Sequence, residues 1–489
     1  VTRLLNRSFP FLTLLLLFAA LVWTCLHRGP WYDEFYTQYV TRSGVPWATA
    51  LRSMWLTDNH PPLYYALARA TTWLGTIDQH RLLNLAVAAL AVLGGLAIVR
   101  DVPRLAPAAT ALVFTLAANP WTLIAGSELR SYFLSLCAGA VLALSLCAIR
   151  LAGGAGGRAR QVTYWIAALV GFNLHIVTSL TCAALVAPFF AAALLRRDWA
   201  EVRAIALAPL VAGLILVAVS AVQLPIWLAN TQVFWIEGGL WSARWAVEWP
   251  LIRTLQANLV VLAGALGGGV LLARDVLRRR PSGEAGALAL LVGGVVLAIA
   301  GLVALHLLRP MLIEKYLMAM VAAVAVGIAL ACGKLLESLG PRWRALALAA
   351  ALVATALALG ANARAAAGRV SWFGSGGAVA AEVARCPGTV VHADGAWNDD
   401  VAGMLPRENA QVVPFAYRYV ADALGFALEP VGSRRMSATC PTVFWGDHDS
   451  TARWDALRVA ARLRAVGFPV TRLEFRRVDD GWVAVARPR

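Results

Sequence analysis

Apolar stretches of about twenty residues recur along this chain from Phe9 to Ala361. A run of that length is the span of a hydrocarbon core of roughly 30 Å, and in lipid it must be helical so that its backbone polar groups satisfy one another. Composition agrees: of 489 residues, 60% are hydrophobic and 14% charged, with mean hydropathy +0.67. A soluble domain carries about a quarter charged residues, so an ordinary cytosolic enzyme is excluded. The fold class expected is mainly α, a polytopic transmembrane helical bundle of about 11 to 13 spans with a small C-terminal α/β domain.

Spans are expected near Phe9–Leu26, Leu82–Val99, Ala106–Ala125, Tyr132–Ile149, Val162–Leu174, Val177–Leu195, Ala204–Val222, Leu251–Ala273, Ala285–Leu305, Leu317–Ala331 and Ala345–Ala361. The first follows Arg3 and Arg7 but no convincing small-residue cleavage site follows it, which favours a membrane helix over a signal peptide. Pro61–Gly75 is short for a span and is read as an interfacial or partly inserted helix on the outer side.

The formal net charge is +16, yet the arginines sit mostly in short loops between apolar runs. There, positive charge reports topology, and a nucleic-acid partner is discounted. Arg100, Arg104, Arg150, Arg158, Arg160, Arg196, Arg197, Arg274, Arg278–Arg280, Arg342 and Arg344 share one side if they are cytoplasmic. The scarcity of lysine, at 315 and 334 only, hints at a GC-rich bacterial genome, hence a multi-pass protein of a bacterial cell membrane. The first external loop, 28–60, then faces outward, as does the C-terminus.

Composition changes near Asn362, which divides a transmembrane domain, 1–362, from an extracytoplasmic α/β domain, 363–489. In the latter, strands are expected at Thr389–His392, Thr442–Trp445, Val470–Phe475 and Trp482–Ala486, and helices near Ala378–Ala384 and Thr451–Val466. Two of seven cysteines, Cys386 and Cys440, lie there and are a disulfide candidate in an oxidising compartment; spacing alone does not show their proximity.

The polar residues of interest fall at span ends on one side. Asp33 and Glu34, in RGPWYDEFYTQYV, can serve acid–base or metal chemistry. Equally they can open an amphipathic surface helix whose Phe35, Tyr36 and Tyr39 rest on lipid headgroups. In DNHPPLYY, paired prolines hold His60 at a helix entrance, where Asp58 or Asn59 can act as a cap or in a site. SELRSY places Glu128 and Arg130 in a very short turn, paired, snorkelling, or gripping a phosphate. His175 sits at a hairpin tip, as a solvated turn residue or a ligand, and HLLRPMLIEKY adds His306, Arg309, Glu314 and Lys315. Gln223–Pro250 reads as an outer loop in which Trp227, Trp235, Trp241, Trp245 and Trp249 anchor at the interface or stack on sugar, with Glu237 and Glu248 as further acids. Carboxylates for a base and cations for a phosphate, converging on one membrane face, suit transfer of a sugar from a lipid phosphate.

These stretches resemble the GT-C superfamily of integral-membrane glycosyltransferases, in the branch of protein O-mannosyltransferases and aminoarabinose transferases. The matching parts are Asp33-Glu34, HPPLYY at His60–Tyr65, the Glu-x-Arg-x-Tyr pattern of Glu128, Arg130 and Tyr132, His175 in its hairpin, and EKYL, where relatives often have Glu-Arg-Tyr-Leu, across residues 1 to 335. The resemblance implies an enzyme that passes a sugar, of mannose or arabinose type, from a polyprenyl-phosphate donor to an acceptor hydroxyl on a lipid, polysaccharide or protein, with inversion. It implies Asp33 as general base and Glu34 as its support or as a ligand of a divalent metal. It further implies Arg130, Arg309 and Lys315 on the leaving phosphate, with His60 and His175 orienting acceptor or metal and Tyr316 in the same binding set. Glu34, His60 and His175 are the metal candidates. No Gly-rich phosphate loop follows a strand, which argues against a nucleotide-sugar donor. The alternative class is a transporter or flippase of lipid-linked sugars, which would place ionisable residues midway along broken helices and show inverted repeats. A third option is a structural subunit that displays its outer domain.

Overall fold

The computed structural model describes residues 2–488 except 59, 154–156, 231–235, 279–281, 397–410, 448–453 and 480, with backbone alone at 2–7, 226, 227, 229 and 230. Asn59, Trp235, Arg279, Arg280 and the side chain of Trp227 therefore lie outside the described residues. In chain order the helices are α1 (Thr2–His27), α2 (Tyr32–Thr41), α3 (Trp47–Ala50), α4 (Leu63–Ala70), α5 (Ile77–His80), α6 (Leu83–Asp101), α7 (Ala106–Ala118), α8 (Pro120–Gly126), α9 (Tyr132–Leu151) and α10 (Arg158–Phe172). They continue with α11 (Ile176–Leu195), α12 (Trp199–Asn230), α13 (Leu240–Gln256), α14 (Leu259–Leu277), α15 (Gly283–Leu308), α16 (Met318–Ser338), α17 (Pro341–Ala367), α18 (Trp372–Arg385), α19 (Val412–Leu424) and α20 (Ala456–Ala465). The strands are β1 (Val390–Ala393), β2 (Thr442–Gly446), β3 (Glu474–Val478) and β4 (Gly481–Ala486).

The chain groups into two compact units. The first holds 1–26, 55–71 and 81–366; the second holds 27–54, 72–80 and 367–489. Sequence composition suggests a linear division at Asn362, whereas the second unit takes in two segments from the first hundred residues.

In the first unit, nine helices among the described residues are long and apolar enough to cross a membrane, or ten if the bent pair α7 and α8 counts as one span. The expected span at 162–174 corresponds to α10, which has 15 residues. The lipid-like length of these helices follows from their leucine, alanine and valine runs; what joins them is close backbone approach. A Cβ on Gly139 of α9 would lie 2.7 Å from Ala319 Cα of α16, and one on Gly268 of α14 would collide with the Ala331 carbonyl, also of α16. Small residues at such crossings replace the hydrophobic drive that lipid does not provide. α9 and α16 thus form the buried centre, packed on α7, α14, α10 and α15.

Two spans are broken. α7 and α8 bend by 68° at Asn119–Pro120. The expected continuous span at Leu251–Ala273 is two helices, α13 and α14, and the supposed loop Gln223–Pro250 is helical as far as Asn230 and again from Leu240. Asparagine makes both breaks. Asn258 Oδ1 accepts from the backbone N–H groups of Val260 and Val261, each at 3.1 Å, while its Nδ2 donates to Ala351 O at 3.0 Å and Thr355 Oγ1 at 2.9 Å. Asn119 Oδ1 caps α8 through Trp121 N at 3.0 Å, and its Nδ2 donates to Thr254 Oγ1 of α13, also at 3.0 Å. An amide side chain thereby satisfies the donors that a helix start leaves without partners.

The second unit is built on a four-stranded sheet of order β1-β2-β4-β3, with β1 parallel to β2 and the other pairs antiparallel. Val443, Trp445, Val483 and Val485 alternate along their strands with Phe444, Trp482 and Ala484, and all are buried. Trp445 meets Trp372 of α18 and Tyr417 of α19; Phe444, Trp482 and Ala484 pack with Val459 and Leu463 of α20. Both sheet faces are therefore covered. The strand expected at Val470–Phe475 begins only at Glu474, and α19 has no counterpart in the sequence reading. Cys386 and Cys440 are bonded in a disulfide, Cα atoms 5.8 Å apart, beside β1 and β2.

The segment 27–54 belongs to this unit. α2 begins with Asp33 and Glu34 in its first turn, and the Glu34 carboxylate accepts the Trp31 backbone N–H at 3.3 Å. Phe35 is buried against Trp372 at 5.1 Å and Tyr419 at 5.5 Å between ring centroids, and Tyr39 against Phe415 at 5.6 Å. These rings are core residues, which corrects the expectation that they rest on headgroups. Trp372 N donates to Pro30 O at 3.0 Å, and Tyr419 OH accepts from Ile77 N at 2.9 Å.

Candidate functional site

The candidate site residues divide between the units. Asp33 and Glu34 belong to the second. Glu34 is fully buried and closes the start of α2; Asp33, half-buried beside it, uses its backbone carbonyl to accept the Thr37 hydroxyl at 3.0 Å. Both stand in the first turn of α2, where acidic side chains are commonly found.

The first unit gathers most of the others. Lys315, in the 3₁₀ turn Glu314–Leu317, lies with its Nζ 3.7 Å from Glu128 Oε1, and Glu128 is fully buried. Glu128 and Arg130 share the turn between α8 and α9, both buried, and Arg130 lies over the Tyr132 ring at 5.8 Å. Tyr132 is 5.9 Å from Tyr316, Tyr316 is 4.2 Å from His175, and His175 is 4.9 Å from His60, all between ring centroids. Four of the five sequence elements singled out above thus meet through an aromatic chain. Arg309 is exposed at the C-terminal cap of α15.

The backbone around this cluster is held by buried amides that the motifs did not reveal. Asn84 of α6 donates to Gly126 O at 2.9 Å and Glu128 O at 3.0 Å, fixing the turn that carries Glu128 and Arg130. Gln223 of α12 donates to Trp55 O at 3.3 Å and to Asp58 O and His60 O, each at 2.9 Å. A polar residue inside an apolar run is costly unless it is satisfied, and that is the signal by which both could have been found. His306, fully buried, holds the approach to the 3₁₀ turn: its Nδ1 accepts from Met311 N at 3.2 Å and Leu312 N at 3.0 Å.

His175 is not a solvated turn residue. It is buried and caps α11, its Nδ1 accepting the Val177 backbone N–H at 3.2 Å. Burial, the facing His60 and the charge of Arg130 hold its pKa well below that of a free imidazole. His175 is consequently neutral, with its proton on Nε2.

Nor does Asp58 cap a helix. Pro62 stands at the N-cap of α4, and Asp58 Oδ2 instead receives the Tyr65 hydroxyl and lies 3.2 Å from His60 Nδ1. Burial raises the Asp58 pKa, but the charge and hydrogen bond of His60, the Tyr65 hydroxyl and Arg130 outweigh it and bring it below the ordinary value. Asp58 is ionised.

Among the described residues, no three His, Cys, Asp or Glu side chains come together as a metal-ligand set. One nitrogen of His175 is taken by a backbone N–H and one of His60 by Asp58. The described residues thus present no ready ligand set for a divalent metal.

The tryptophan segment is a helical surface. Trp241 and Trp245 are exposed, Trp245 stacks on Trp249 at 5.6 Å, Arg253 lies 4.1 Å over Trp249, and Glu248 pairs with Arg244 at 2.7 Å. Glu237 is exposed.

No family model and no curated protein sequence matches this chain. Solved structures do. The crystal structure of ArnT from Cupriavidus metallidurans in the apo state superposes with TM-score 0.54 at 14% identity, covering 99% of this chain and 99% of that one. The same protein bound to undecaprenyl phosphate gives TM-score 0.53 at 14% identity with the same coverage of both chains. The fold is thus that of ArnT over the whole length, a polytopic helical bundle with a small sheet domain, in agreement with the GT-C resemblance read from the motifs.

Proposed function

We propose that this protein is a membrane glycosyltransferase that takes a sugar from a polyprenyl-phosphate donor and gives it to an acceptor hydroxyl, with inversion, at the outer face of a bacterial membrane. The observation that carries this reading is the full-length likeness to ArnT, a protein crystallised with undecaprenyl phosphate. The chemistry of the residues supports it. A polyprenyl phosphate is already a good leaving group and needs charge neutralisation more than protonation, which suits Arg130, Lys315 and Arg309.

Asp33 is the general base in this scheme. Its carboxylate takes the acceptor hydroxyl proton as the oxygen attacks the anomeric carbon; the bond from that carbon to the phosphate oxygen breaks, and the polyprenyl phosphate departs with the electron pair. One carboxylate suffices for a single inverting displacement, unlike the two-carboxylate covalent route. Glu34 supports the base by fixing the helix start on which Asp33 stands. His60, His175 and Tyr316 orient the bound groups, and a mannose- or arabinose-type sugar is the donor class. The acceptor is a lipid, polysaccharide or protein hydroxyl.

The test is purified protein in lipid nanodiscs supplied with radiolabelled polyprenyl-phosphate mannose or arabinose and a membrane extract as acceptor source. Label moving to an acceptor with release of polyprenyl phosphate is expected. Intact donor crossing the bilayer of proteoliposomes without bond cleavage would instead make the protein a flippase.

A further inference from the structure

The proposed reaction leaves unexplained why a half-buried carboxylate stands beside His60. Asp58 and His60 are separated by one residue, and a carboxylate two positions away along a free chain has no reason to face the imidazole. Here the facing is enforced from several sides. Gln223 Nε2 reaches the carbonyl oxygens of both residues at 2.9 Å and so holds Asp58 and His60 by their main chain. Pro61 and Pro62 follow directly and restrict the backbone of His60 further. The Tyr65 hydroxyl, one turn into α4, donates to the same Oδ2 that lies 3.2 Å from His60 Nδ1. Gln223 comes from a helix more than 160 residues away in sequence, so the pairing is a tertiary construction rather than a local turn.

An ionised carboxylate accepts and cannot donate, so the proton between the two groups resides on Nδ1. That leaves Nε2 as the atom through which His60 can act. Nε2 is buried, and no described residue hydrogen-bonds to it. The ring stands 4.9 Å from that of His175, whose own Nδ1 is occupied by its helix cap. Arg130 is close enough for its charge to act on Asp58, Tyr65 and His175 alike.

We infer that Asp58 is a positioning residue of the transfer reaction: it holds His60 in one tautomer and one orientation, directing Nε2 to the groups that bind the sugar donor. This inference rests on the glycosyltransferase reading above and assigns Asp58 a part that neither the HPPLYY motif nor a helix cap gives it. Tyr65 and Gln223 belong to the same device, the first by sharing the carboxylate and the second by clamping the backbone. A histidine whose second nitrogen is fixed by a carboxylate has a defined donor and acceptor, the arrangement found wherever imidazole must act from one atom only.

Two measurements test it. The first needs no activity: ¹⁵N-histidine spectra of the full-length protein, with the His60 signal identified by its loss in His60→Ala. Wild type is expected to show the Nδ1-protonated tautomer, and Asp58→Asn a shift towards the Nε2-protonated form. The second is a kinetic cycle with a labelled polyprenyl-phosphate sugar. Asp58→Asn should lower kcat by about 10- to 100-fold with a far smaller change in KM, as removal of an orienting partner does, and the double variant with His60→Ala should be no slower than His60→Ala alone. Wild-type and Asp58→Asn spectra that are identical, or losses that multiply in the double variant, would overturn the inference. Wild-type protein that shows the Nδ1 tautomer but transfers no sugar would instead count against the glycosyltransferase reading and leave the positioning of His60 by Asp58 standing.

Discussion

His175 Nδ1 accepts the backbone N–H of Val177 at 3.2 Å, so an imidazole stands where a helix usually begins with Ser, Thr, Asp or Asn. The ring caps α11 on one side and faces His60 and Tyr316 on the other. His175→Ala should therefore cost about 1 kcal/mol of stability through the lost cap, while His175→Asn should recover most of it. Thermal unfolding in detergent measures both.

The same geometry sets a pH dependence. Burial, His60 and Arg130 depress the folded-state pKa of His175 below its free value of 6.5. Below that value the unfolded chain binds a proton that the folded protein refuses, so stability falls as pH drops through 6.5 towards the lower folded pKa and is regained above it. Unfolding temperatures taken at descending pH should fall more steeply in wild type than in His175→Asn. Parallel curves would show that His175 does not carry the effect.

Helix crossings supply a sharper contrast. Gly139 and Gly95 are both glycines in apolar helices, but a Cβ on Gly139 would lie 2.7 Å from Ala319 Cα, and one on Gly95 meets nothing within 4 Å. Gly139→Ala should destabilise by about 1 to 3 kcal/mol, because a well-packed crossing has no room to relax. Gly95→Ala should be neutral or slightly stabilising, since alanine is the better helix former. Comparable effects at both positions would refute the close approach of α9 and α16.

How much of this was legible in the sequence follows from how local each cause is. The long apolar runs predicted helices because a stretch such as Tyr132–Leu151 has no other way to satisfy its backbone in lipid. The break at Asn258 was not visible, since one asparagine in an apolar run reads as a tolerated exception until Ala351 and Thr355 are seen to receive its amide. Phe35 and Tyr39 read as interfacial anchors because their partners, Trp372, Tyr419 and Phe415, lie more than 300 residues away. At the candidate site, charged residues in short turns stood out, and His60, His175, Tyr132 and Tyr316 do meet. Gln223 did not stand out, and Asp58 reads from the sequence as either a cap or a site residue, because the contacts that decide are set by tertiary packing rather than by spacing.

The disulfide gives a prediction for the second unit. Cys386 and Cys440 close a loop spanning 54 positions, for which chain entropy suggests a contribution of about 4 kcal/mol. Both should resist alkylation in intact protein without reductant, and reduction should lower the unfolding temperature of this unit. Two modified thiols in unreduced, folded protein would reject the bridge.

The most direct trial of the account is Asp33→Asn assayed for transfer of labelled sugar from a polyprenyl-phosphate donor that wild type uses. The substitution keeps the size and shape of the side chain at its place in the first turn of α2 and removes the capacity to take a proton. The account predicts a loss of transfer of about 100-fold or more with an unchanged unfolding temperature and unchanged donor binding. Turnover at the wild-type rate would contradict it.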